Sequence, residues 1–250
     1  MKLDEKKLHF ENYNAKFYKY RQSLYKVFKH YVPESLENQI LYNHSIQSHL
    51  DKHLILPTKI LTDERSELIG YKMRFVDGTN FESELIHSHL SFEDKILLIN
   101  ELFRLLKEIH QYLIVGDIRN SNLMVGKDGN AYMIDFDLAK KVDSPIAPVS
   151  RYHIYSDDEI LNDQNEDLIK LFISALSLLY EIDIEEHFIN FGTIEKLADY
   201  IPLSGVLKYY YHYLKKNVYT HNKSDIYLNI HYYEELEKEV NVARTRLLTK

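Results

Sequence analysis

Two aspartates eighteen positions apart, each closing an apolar run, constrain this chain more than any other feature. The stretch reads Val115-Gly116-Asp117-Ile118-Arg119-Asn120-Ser121-Asn122-Leu123-Met124-Val125, then Gly126-Lys127-Asp128-Gly129-Asn130, then Ala131-Tyr132-Met133-Ile134-Asp135-Phe136-Asp137. A Gly- and Asp-rich turn between short β-prone runs predicts a hairpin. That hairpin brings Asn122 and Asp135 to one end of two paired strands. An amide oxygen and a carboxylate placed together are hard ligands, suited to Mg²⁺ carrying nucleotide phosphates. Asp117 falls nearby, free to orient or deprotonate a hydroxyl.

The flanking sequence divides in two. Up to Gly78 it reads as β-prone runs with one helix. Strands are expected at Tyr18–Tyr20, Ser23–Lys29, Ile55–Leu61 and Leu68–Phe75, and a helix from Leu36 to Leu50. Asp77-Gly78 marks a break. From Ser91 the pattern turns helical: Ser91 and Asp94 resemble a capping box, and Ile96, Ile99, Leu102, Phe103, Leu106 and Ile109 follow at helical spacing. A second apolar helix runs from Asp167 to Tyr180, and a helical tail covers Ile194–Ala198, Gly205–Lys215 and Tyr232–Leu248. The chain lacks cysteine, which excludes disulfides and Cys-ligated zinc. Its net charge of −7 argues against generic nucleic-acid binding. The N-terminal residues lack a signal-peptide stretch and no run reaches a membrane span, so a cytoplasmic location is expected. His49 and His53 are four apart with His44 upstream. No further carboxylate is placed on that face by spacing, and these read as exposed or interfacial histidines.

The Asp117–Asp137 segment resembles the catalytic and metal-binding loops of the protein-kinase-like superfamily, with their Asp-x-x-x-x-Asn and Asp-Phe-Gly patterns. Taken together, the chain is similar to a divergent bacterial or phage Ser/Thr protein-kinase-like domain without a glycine-rich loop. The resemblance implies an α+β, two-lobed fold: a small β-rich N-lobe (1–78) and a larger helical C-lobe (79–250). It implies that Asp117 is the catalytic base and that Asn122 and Asp135 hold Mg²⁺. Arg119 falls where protein kinases place a lysine on the transferred phosphate. Lys26, in Leu24-Tyr25-Lys26-Val27-Phe28, matches the lysine that neutralises nucleotide phosphates, with Lys29 as its rival. Glu37 matches the helix glutamate that pairs with that lysine, with Glu34 as its rival. Met73 falls in the gatekeeper region and Phe75 in the hinge, where backbone groups read adenine. Asp167 resembles the buried aspartate that anchors the catalytic loop.

The pattern departs in places. No glycine precedes Lys26 in 9–18, although close approach to phosphates normally needs it. Val115-Gly116 replaces His-Arg before Asp117, and a Gly-Asp pair is also similar to small-molecule kinases of the aminoglycoside phosphotransferase type. Asp137 replaces the metal-loop glycine, where it either joins the metal or stiffens the loop. Without the arginine partner of an activation-loop phosphate, the chain is expected to act as synthesised. The expected activity is ATP- and Mg²⁺-dependent phosphoryl transfer to a hydroxyl of a protein or small-molecule acceptor, Ser/Thr protein kinase-like in first place. The alternatives are a pseudokinase or nucleotide-binding scaffold, and a small-molecule kinase.

Overall fold

The computed structural model describes residues 7–87, 89–142, 144, 164–186, 194–219 and 225–249. The chain is α+β, with a five-stranded antiparallel sheet in its N-terminal part and a helical C-terminal part. The sheet comprises β1 (Lys7–Glu11), β2 (Ala15–Tyr20), β3 (Ser23–Phe28), β4 (Lys59–Thr62) and β5 (Leu68–Arg74), in the order β1-β2-β3-β5-β4. Gly70 lets β5 lie tight against β3, because a Cβ there would stand 2.1 Å from the Lys26 carbonyl oxygen.

Helix α1 (Glu34–Ile46) covers this sheet. Glu34 and Glu37 sit in its first turn, where the helix dipole favours acids. Its buried side is Ile40, Asn43 and Ile46. Ile40 packs with Phe17, Tyr71 and Met73 in the smaller of two apolar cores. Residues Ile55–Pro57, expected in a strand, lie outside the sheet. Ile55 N–H instead donates to Met133 O at 2.9 Å, so this linker ties the sheet region to the hairpin. Strand β1, which the sequence reading missed, is exposed at every residue and pairs only with β2.

The chain leaves the sheet through β6 (Gly78–Asn80) and α2 (Phe81–His87). Helix α3 (Phe92–Ile109) opens with both bonds of the Ser91/Asp94 capping box. Strand β7 (Leu113–Ile114) precedes the expected hairpin, which forms as β8 (Leu123–Gly126) and β9 (Ala131–Met133), with β6 added on its outer side. Strand β10 (Lys140–Lys141) returns to β7. Helices α4 (Gln164–Tyr180), α5 (Ile194–Tyr200), α6 (Gly205–Tyr219) and α7 (Glu234–Leu248) complete the larger part. α4 is buried at every residue, including Glu166, Asp167 and Lys170. A helix buried all round must satisfy its polar groups internally. Lys170 does so with Glu166 at 2.6 Å and with the Gly116 carbonyl at 2.7 Å.

Among the described residues no helix is long and apolar enough to cross a membrane. Much of the expected activation segment, including Ser150 and Ser156, lies outside the described residues.

Candidate active site between sheet and helices

The hairpin register sets the site. Leu123 pairs with Met133, and Ile134 N–H donates to Asn122 O at 3.0 Å, so Asn122 and Asp135 leave the strands side by side. Asn122 turns its Nδ2 to the Asp117 carbonyl at 2.9 Å and to Asp117 Oδ2 at 3.2 Å. That commitment leaves Oδ1 as the atom that could hold a cation. Arg119 Nη2 lies 3.2 Å from Asp117 Oδ2. Asp117, Asn122 and Arg119 are thus joined by direct contacts, and Asp135 lines the same cleft as Asn122 and Arg119.

The loop that carries Asp117 is anchored from beneath. Asp167, fully buried, accepts from Val115 N–H at 2.6 Å and Gly116 N–H at 2.8 Å, and meets His110 Nε2 at 3.1 Å. Its burial decides its role: it holds the loop's main chain. Gly116 has φ 77°, a left-handed conformation that glycine adopts without strain. On the other side Glu185 accepts from Asn120 N–H at 2.6 Å. Burial pushes the Glu185 carboxyl up to about 7, and the nearby Asp183 and Asp117 carboxylates add to the push. Sequence reading missed Glu185, because nothing in its spacing ties it to a loop 65 residues earlier.

Lys26, buried on β3, reaches across the cleft to Asp135 Oδ1 at 2.6 Å and Asp137 Oδ2 at 2.7 Å. Its rival Lys29 pairs instead with Glu11 at 3.2 Å. Burial disfavours charge on Lys26, but Asp137 and Asp135 outweigh it and hold the ammonium well above its ordinary range. One cation between two carboxylates leaves an excess negative charge. Burial accordingly pushes the Asp137 carboxyl up, with Lys26 opposing and Asp135 reinforcing. Tyr71 O–H donates to Asp137 Oδ1 at 2.5 Å, and burial raises the phenol well above its ordinary range. Asp137 is thus a lysine partner where a glycine was expected.

Glu37 differs from its expected role. It is half-buried in the first turn of α1 and forms no ion pair among the described residues. Lys26 is already paired with two acids of the loop after β9, Asp135 and Asp137. The link from α1 to that loop is Asn43, one helical turn and a half further on, whose Nδ2 donates to Phe136 O at 2.8 Å. Gln39 Nε2 donates to Asn43 Oδ1 at 2.9 Å and fixes the amide's orientation.

Beside these groups opens a cleft of about 520 Å³, within the range of small-molecule sites. Met73 and Phe75 line it, together with Leu24, Phe17 and Ile134. Lys19 Nζ stands 3.6 Å from the Phe75 ring centroid and His9 packs edge-on to the same ring. The roof over the cleft has no glycine. Instead Asn12 Oδ1 closes the β1–β2 turn by accepting from Asn14 and Ala15 N–H, and Phe10 stacks on Phe17 with centroids 4.2 Å apart.

This architecture is α+β in a two-lobed layout, a sheet-rich N-terminal part beside a helical C-terminal part. No family model matches the chain. Over 75 residues it is 35% identical to a protein named probable serine/threonine-protein kinase YbdM, from Bacillus subtilis (strain 168). That stretch is 29% of this chain and 29% of the length of that relative. The likeness supports a kinase-like relationship for the part it covers.

Proposed function

We propose that this chain binds MgATP in the cleft and transfers the γ-phosphoryl group to a hydroxyl. The observation that carries the reading is that Asn122 and Asp135 line one cleft while Asp117 is bonded to Asn122 and Lys26 to Asp135 just behind them. Asn122 Oδ1 and the Asp135 carboxylate fit a hard divalent cation by donor type. Mg²⁺ bound there would neutralise developing phosphate charge. Asp117 orients the acceptor hydroxyl and takes its proton. Arg119, held on Asp117, adds positive charge where the transferred group passes. Lys26 neutralises phosphate oxygens as a point cation and positions Asp135. Met73, Phe75 and Leu24 supply apolar walls for the base.

The acceptor is a Ser/Thr hydroxyl of a protein, or a small-molecule hydroxyl in keeping with the Gly116-Asp117 pair. A second reading, a nucleotide-binding scaffold with little turnover, is favoured by the glycine-free roof and by the double tie of Lys26 to Asp135 and Asp137.

The test is thermal denaturation with ATP alone and with MgATP, followed by γ-phosphate turnover. A ligand that binds only the folded state stabilises it by about 2.7 kcal/mol at a hundredfold excess over Kd. A larger melting shift with Mg²⁺, plus turnover, supports the kinase reading. The shift without turnover supports the scaffold. Identical melting curves with and without saturating MgATP sink both.

A further inference from the structure

Away from the cleft, the linker that follows α1 docks on α3. There Asp51, His53 and Glu101 each bring a ligand atom within 4.8 Å of the other two. His53 Nδ1 lies 3.0 Å from Asp51 Oδ1 and 3.7 Å from Glu101 Oε1. His53 is only 8% exposed, and neither of its ring nitrogens has a hydrogen-bond partner. The Asp51 oxygen is within reach of Nδ1 but off the direction in which a ring N–H donates. A buried imidazole without partners costs free energy unless a ligand uses its lone pair. The ring is held perpendicular to Tyr132, centroids 4.8 Å apart.

Charge points the same way. Asp51, Glu101 and Glu108 surround a single guanidinium, Arg104. The three acids outnumber the one guanidinium by two. Burial pushes the Asp51 carboxyl up, but the His53 main-chain N–H and Arg104 outweigh it and leave it below its usual range. The Arg104 hydrogen bond likewise holds Glu101 low. Both acids are therefore ionised at neutral pH.

We propose that Asp51 Oδ1, His53 Nδ1 and Glu101 Oε1 form a Zn²⁺ site, separate from the cleft. Ligand atoms on a tetrahedral zinc stand about 3.3 Å apart, and the two distances here bracket that value. One nitrogen and two carboxylate oxygens suit zinc better than magnesium, which prefers oxygen alone. Arg104 remains on the outer oxygens, Asp51 Oδ2 at 2.8 Å and Glu101 Oε2 at 2.9 Å, and yields Oε1 to the ion. Such outer hydrogen bonds orient ligating carboxylates. Solvent supplies the fourth position. The ion would clip the linker from the sheet region onto α3. The site is independent of any reading of the cleft.

The experiment is calorimetric titration of the full chain with Zn²⁺ alone, in millimolar Mg²⁺, with melting curves in parallel. One Zn²⁺ per chain at micromolar Kd or tighter, and a raised melting temperature, are expected. His53→Ala and Glu101→Gln should each weaken binding about tenfold or more, and Asp135→Asn should bind as wild type. Glu101→Gln keeps the side chain's size and an oxygen for Arg104, so it decides the matter if His53→Ala fails to fold. No micromolar binding by the wild-type chain overturns the proposal. So does undiminished binding by Glu101→Gln, or loss of binding in Asp135→Asn alone.

Discussion

The floor and the roof of the cleft are built on opposite terms. The floor, the loop carrying Asp117 and Asn122, is held by buried bonds from Asp167, Lys170 and Glu185 to its main chain. The roof is an exposed strand, β1, and a turn closed by Asn12, through its side chain and its main-chain N–H. A buried hydrogen bond whose partner is deleted leaves an unsatisfied group, so the floor is intolerant of change. The roof's contacts face water and can be lost cheaply. Positional accuracy is concentrated where an acceptor hydroxyl would have to be oriented, and the part over the proposed nucleotide site is left adjustable.

Four tests can break or sharpen this contrast. The largest effect is expected at Asp117→Asn. Turnover of γ-phosphate should fall by about 10²–10⁴-fold, while the melting shift with MgATP is kept. Asp135→Asn, by contrast, should lose the Mg²⁺-dependent part of that shift. Wild-type turnover in both variants would remove the site assignment.

Next comes Asp167→Ala, which orphans the Val115 and Gly116 N–H groups. Each buried orphan costs about 1–3 kcal/mol, so urea denaturation should show a loss of several kcal/mol. A loss under about 1 kcal/mol would mean the floor is no more tightly held than the roof.

The third test uses pH. The Glu185 carboxyl is raised from 4.5 to about 7 in the folded chain. The folded state then holds this proton more tightly than the unfolded chain. Its contribution to stability is full below pH 4.5, declines as pH rises from 4.5 to 7, and changes no further above that. The decline amounts to about 3 kcal/mol at most. Glu185→Gln keeps an oxygen for the Asn120 N–H and cannot ionise. Denaturation across pH 4–8 should show the variant level with wild type at the acid end and more stable at the alkaline end. A variant that tracks wild type throughout would place the shift elsewhere.

The smallest effect is expected in the roof. Phe10→Ala removes a half-exposed ring stacked on Phe17, a pair worth about 0.5–1.5 kcal/mol. Stability should fall by no more than that, with MgATP binding weakened modestly. A collapse of folding would show that β1 carries more than its exposure suggests.

Which parts could be read in the sequence follows the same division by range. The hairpin was legible because a Gly- and Asp-rich turn fixes register locally, and register alone brings Asn122 beside Asp135. The α3 helix was legible because Ser91 and Asp94 cap it and its apolar stripe has one period. Strand β1 was not: Leu8 and Phe10 alternate with polar residues, but the run has only two apolar positions and all of it stays exposed. Ile55–Pro57 is apolar enough for a strand, but its main chain bonds to Met133 across the junction, a tertiary choice. Lys26 was placed by its strand, yet its partners were not, because Asp137 comes from 111 residues away. Asp51, His53 and Glu101 fall under the same rule. The first two are neighbours, and the third joins only when the linker settles on α3.

The Asn43–Phe136 bond has a consequence for how such a protein could be tuned. A helix joined to a loop by an ion pair loosens with added salt and with the titration of either partner. Here the joint is an amide on a carbonyl, both uncharged and buried. Motion of α1 should therefore be transmitted to the Asp135 loop with equal stiffness in dilute and concentrated buffer and across the neutral pH range. An effector that acts on this coupling must displace the helix bodily, because there is no charge at the joint for it to compete with.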